Sequence, residues 1–122
     1  MITLATLPEA TAFEVFDEVA RHLIAQNEKA VIDGYCVYHG EGGLKCAAGC
    51  LIGEDEISDE FRYKTWAEVV DEGLAPLEHH ELISELQSIH DNSDPETWVE
   101  DLRKMAKRRG LDFYLDTENK DA

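Results

Sequence analysis

Two four-residue runs, Thr11-Ala12-Phe13-Glu14 and Thr65-Trp66-Ala67-Glu68, punctuate this chain. Each sets a threonine three residues before a glutamate, the pattern in which hydroxyl and carboxylate cap each other's backbone amides at a helix start. A third start, Asp94-Pro95-Glu96, puts an N-cap aspartate before a proline whose missing N–H is not needed in a first turn. After Thr11, the residues Phe13, Phe16, Ala20, Leu23 and Asn27 recur at three- and four-residue steps, which predicts a helix over 11–27. The helix opened at Thr65 ends at Gly73. Pro76 is placed to open the next, with Leu82, Leu86 and Ile89 on its inner face, running to Asp91. Trp98, Leu102, Met105 and Arg109 mark the inner stripe of the last helix, and Gly110 suits its left-handed end, where Leu111 can pack back on Ala106.

Between the first two helices the chain changes character. Tyr35-Cys36-Val37-Tyr38-His39 is rich in strand formers, and Gly40-Glu41-Gly42-Gly43 is a turn. This predicts a β-hairpin centred on Glu41, with Cys36 opposite Cys46. Ala47 to Gly53 can start a short helix. Met1 to Ala5 suits an edge strand, and Leu111 to Leu115 a short closing strand. The expected architecture is an α+β single domain, mainly helical with one small β-hairpin, spanning residues 1–115 with a mobile acidic tail at 116–122.

Charge is the second constraint. The 122 residues carry 27 acids against 11 bases, a net charge of −16. Residues 62–101 hold 11 acids and 2 bases, whereas 102–122 hold 4 acids and 6 bases. The basic cluster Arg103, Lys104, Lys107, Arg108 and Arg109 falls in the last turns of a predicted helix, where the dipole favours cations, and reads as structural. A broad basic face for direct nucleic-acid binding is not expected. No apolar run approaches the ~18 residues of a membrane span, and no secretory signal is expected.

The chain holds no constellation that commits it to catalysis. There is no Gly-x-Ser-x-Gly turn and no phosphate loop, and carboxylates are so abundant that their adjacency is uninformative. His90-Asp91 resembles the pair used by metal phosphohydrolases, but it also suits the end of a helix. No catalytic residue is assigned, and an enzyme is less expected than a binding protein. Cys36, Cys46 and Cys50 admit two readings. They are buried structural thiols with no cofactor, or they form a zinc or thiol site with His90, or His39, as helper. A Cys36–Cys46 disulfide is possible across the predicted strands but is not expected in a reducing compartment.

Tyr35-Cys36-x-Tyr38-x-Gly40, Gly43-Leu44-Lys45-Cys46-Ala47-Ala48-Gly49-Cys50-Leu51-Ile52 and Leu86-Gln87-x-Ile89-His90-Asp91, with Trp98 beyond, resemble the marks of a family of small uncharacterised proteins common in phage and prophage genomes. The resemblance implies a setting, the cytoplasm of a bacterial host cell, and no activity. The functional expectation is a non-enzymatic protein that binds a basic macromolecular partner, such as a host nucleic-acid-binding or defence protein, without direct nucleic-acid or membrane contact. Its densest acids, Glu54, Asp55, Glu56, Asp59 and Glu60, are the expected partner-binding residues.

Overall fold

The computed structural model describes residues 1–114 and is a mainly helical α+β fold. Four α-helices, α1 (Ala12–Gln26), α2 (Trp66–Asp71), α3 (His80–Asn92) and α4 (Trp98–Arg109), accompany one antiparallel pair, β1 (Val31–Ile32) and β2 (Tyr35–Cys36). Both capping boxes form, Thr11 with Glu14 and Thr65 with Glu68. Helix α3 is central and packs on α1, α2 and α4. Its Leu82, Ile83 and Leu86 share one core with Phe16, Val19 and Leu23 of α1, Trp66 and Val69 of α2, and Trp98, Leu102 and Met105 of α4. At the end of α4, Gly110 is left-handed and the Leu111 N–H reaches the Ala106 carbonyl at 2.9 Å. This is the wrapped-back terminus expected from a glycine stop. The expected tail at 116–122 lies outside the described residues, as does Leu115.

The hairpin forms elsewhere. Tyr35 and Cys36 pair backward with Ile32 and Val31, not forward across the glycine-rich turn. The connection is Asp33-Gly34, both at positive φ (52° and 83°), the mark of a type I′ turn whose twist matches the strands it joins. Across Gly40–Gly43 only a single bridge forms, His39 with Lys45, around a 3-10 turn at Glu41–Gly43. Pairing goes no further because α1 takes the strand's place. The Gln26 amide accepts from the Lys45 N–H at 2.9 Å and donates to the Lys45 carbonyl at 2.8 Å. Cys36 therefore lies opposite Val31, and the three cysteines are free thiols.

Three other expectations change for similar reasons. Met1–Ala5 is not a strand, since its amides go to carboxylates: Ile2 to Glu18, and Leu4 and Ala5 to Glu56. Pro76 does not open α3. His79 is left-handed (φ 63°), its Nε2 hydrogen-bonded to the Ala10 carbonyl at 2.7 Å, and the helix starts only after it. Described residues 111–114 form no strand. Phe113 and Tyr114 instead set their ring edges against Phe16 and Phe13 of α1.

The Cys46–Cys50 segment presses on the Tyr38 backbone. A Cβ added at Gly49 would lie 1.9 Å from the Tyr38 carbonyl oxygen, a contact no relaxation of a side chain can relieve. Gly49→Ala is expected to destabilise the fold by about 3 kcal/mol or more, read as a lower midpoint in urea unfolding.

Candidate functional site

The C-terminal turn of α3 gathers a polar group that runs from the buried His90 to the half-buried Gln87 and Asp91. Gln87 and Asp91 lie one helical turn apart, and the Gln87 amide donates to Asp91 Oδ1 at 2.7 Å while its oxygen accepts from the Ala48 N–H at 2.9 Å. His90 is fully buried and stacks on Trp98, ring centres 5.6 Å apart. Its Nε2 accepts the Ala30 N–H at 3.0 Å, so the ring proton sits on Nδ1, which donates to Asp91 Oδ1 at 2.8 Å. Cys36 completes the group from its outer edge, where it is exposed rather than a buried thiol. The ligating atoms of Cys36, His90 and Asp91 all lie within 4.8 Å of one another.

This arrangement decides what the cluster can do. Burial, then the adjacent Asp91 charge, push the Cys36 thiol up to about 11, so it is no thiolate nucleophile near neutral pH. Burial also opposes the Asp91 charge, but hydrogen bonds from His90, Cys36 and Gln87 outweigh it and hold the carboxyl below the usual carboxylate range. Both His90 nitrogens are engaged, one as acceptor and one as donor. A metal at Nδ1 would require the proton to move to Nε2, directly against the Ala30 N–H. The cluster is built as a hydrogen-bonded clasp that ties the starts of β1 and of the Cys46 segment to α3.

Cys46 and Cys50 stand apart from it. Among the described residues neither joins a set of three or more possible metal ligands with Cys36 and His90. Cys46 is buried and accepts the Gly49 N–H through sulfur at 3.3 Å, and burial pushes its thiol up to about 12. The Cys50 thiol donates to the Ala47 carbonyl at 3.1 Å and is also raised by burial. His39 Nε2 lies between the Gly49 and Ile52 carbonyls, at 2.9 and 3.0 Å, and holds that turn closed.

The acidic run occupies an exposed loop with a fixed base. Glu56 is its anchor: it accepts the N–H groups of Gly53 (2.7 Å), Leu4 (3.0 Å) and Ala5 (3.1 Å). Desolvation works against its charge, but these three donors prevail and keep its carboxyl below the ordinary range. Downstream, Phe61 is buried edge-on against Tyr38. Between and beside these anchors Glu54, Asp55, Asp59 and Glu60 are exposed, Glu54 near Lys45 (3.2 Å) and Asp59 near Arg62 (3.4 Å). Of the five residues expected to bind a partner, Glu56 is occupied within the fold and the other four face solvent. The basic cluster of α4 is partly neutralised internally, Arg108 and Arg109 on Glu85 and Arg103 on Glu100. Sequence reasoning passed over Gln87, whose i,i+4 spacing to Asp91 was the available signal.

Two measurements test the clasp. Alkylation of Cys36 by iodoacetamide at about pH 8, followed by peptide mapping, is expected to run roughly a hundred-fold slower than for free cysteine and to quicken in Asp91→Asn. Because the folded carboxyl of Asp91 titrates below its unfolded value, the stability it contributes is complete above about pH 4 and is lost as pH falls through the folded value. The stability gap between the native chain and Asp91→Asn should be widest near neutral pH and close in acid.

No protein-family model matches the chain, and no curated protein or solved structure matches it either, so the functional reading rests on the residues themselves.

Proposed function

We propose that this chain is a non-enzymatic binding protein whose exposed carboxylates, centred on Glu54, Asp55, Asp59 and Glu60, engage a basic surface on a macromolecular partner. The observation that carries the reading is the pinned acidic loop: four exposed acids on a backbone held by Glu56 at one point and Phe61 at another. Preorganisation of this kind reduces the ordering entropy that binding must overcome. The net charge of −16 adds long-range attraction toward a cationic partner. The engaged state of Cys36 and His90 is a reason to prefer binding over thiol or zinc chemistry.

We propose as partner a nucleic-acid-binding or defence protein of a bacterial host, met in the host cytoplasm, the setting expected from the sequence motifs at 35–52 and 86–91. Such proteins carry cationic surfaces for a polymer with one negative charge per ~1.7 Å of duplex axis. An array of carboxylates can compete for that surface. No helix among the described residues is long and apolar enough to cross a membrane, and the proposal needs none.

The test is affinity capture from bacterial lysate with the native chain and with a variant carrying Glu54→Gln, Asp55→Asn, Asp59→Asn and Glu60→Gln. Glu56 is kept so that the loop stays anchored. A basic protein retained at about 50 mM salt should fall at least ten-fold at about 300 mM, and similarly with the variant. Retention indifferent to both salt and the four substitutions would overturn the proposal.

A further inference from the structure

We infer that the exposed tyrosine pair Tyr35 and Tyr63 receives arginine side chains of the partner. This rests on the acidic-surface reading above and specifies the chemistry that surface prefers. The two rings meet edge to face, centres 5.8 Å apart and planes at 83°, which brings the tip of the β1–β2 hairpin against the loop that follows the acidic run. Neither ring is buried: Tyr35 is 61% and Tyr63 81% exposed, so core packing does not account for either. Tyr63 is also held left-handed (φ 60°), a conformation that an asparagine or glycine adopts more easily than a bulky side chain. The fold keeps an aromatic residue where both its backbone and its solvation argue against one.

The chain around the two tyrosines carries three exposed acids against two cations. Asp33 sits two residues before Tyr35 at the hairpin turn, and Asp59 and Glu60 lie within four residues of Tyr63, all exposed. The two cations that flank Tyr63 are already paired, Arg62 with Asp59 and Lys64 with Glu72 at 2.6 Å. An exposed aromatic pair on a protein of net charge −16 suits a guanidinium, which can stack on a ring and present its N–H fork to an acid. An ammonium offers the charge without the planar stack. The inferred partner is therefore a protein whose basic surface is rich in arginine rather than lysine.

Labelled nona-arginine and nona-lysine peptides, titrated against the full chain at one fixed salt concentration and followed by anisotropy, separate the possibilities. The native chain should bind nona-arginine more tightly. Tyr63→Leu, and Tyr35→Leu independently, should each reduce that preference by about two- to five-fold, with a smaller loss of nona-lysine affinity than of nona-arginine affinity. Tyr63→Phe, which keeps the ring, should preserve the preference, and thermal melts confirm that the exposed-site variants fold. A preference that survives removal of both rings, or no preference in the native chain, overturns the tyrosine inference and leaves the acidic reading standing. Failure of both peptides to bind the native chain overturns the acidic reading, and this inference with it.

Discussion

Buried backbone amides must find acceptors, and residues 27–65 have little sheet in which to find them. Their partners are side chains from the helices. Gln26 of α1 holds both backbone groups of Lys45, His22 adds a contact to the Lys45 carbonyl at 2.8 Å, Gln87 takes the Ala48 N–H, and His90 takes that of Ala30. Tyr38 reaches across to the Lys64 carbonyl at 2.8 Å. Helices α1 and α3 thus do for this segment what neighbouring strands do in a sheet. A long irregular stretch between helices is uncommon in a small domain, and here these contacts add to its own backbone bonds in fixing it to the helices. Everything displayed on it, including the acidic loop and the tyrosine pair, depends on them.

The same dependence bears on a histidine next to an aspartate, near a cysteine, whose hydrogen bonds disfavour thiolate chemistry in this setting. A nucleophile needs its thiol pKa lowered and a base with a free lone pair. Cys36 instead faces a carboxylate, and the acceptor nitrogen of His90 is taken by a backbone amide. Removing the imidazole would leave the buried Ala30 N–H without its acceptor and take a donor from Asp91. That makes His90 costly to replace for reasons of folding alone. Proximity of ligand-type atoms is a weak guide until their protons have been placed.

How much of this is legible from sequence depends on how local the cause is. The two capping boxes and the Gly110 stop are set by residues within one turn of each other, and the corresponding helix ends form as read. The Asp33-Gly34 turn is equally local, but the denser glycines at 40–43 carry the stronger turn signal in the sequence. What ended pairing there, Gln26 bound to Lys45, is set by tertiary contact and leaves no periodic trace. Pro76 fits a helix start, but a contact between His79 and Ala10 delays the helix by several residues. Glu56 looked like its acidic neighbours because its role depends on Leu4 and Ala5, some fifty residues earlier. The exposure of Tyr63 had no signal in sequence at all, since an isolated tyrosine after arginine fits a core, an interface or a loop equally well.

The acids divide along the same line. A net charge of −16 on a domain of this size repels itself and lowers stability. The fold offsets part of that cost by making carboxylates into acceptors for backbone N–H groups: Glu14 and Glu68 at helix starts, Glu18 and Glu56 at the N-terminal segment. Those acids have a structural reason to be acidic. Asp55 and Glu60 have no such bond from their side chains, and Glu54 and Asp59 pair only at the surface, where an ion pair contributes little. Folding alone would favour neutral residues at these positions. The binding surface proposed above would give these exposed acids the role that folding does not.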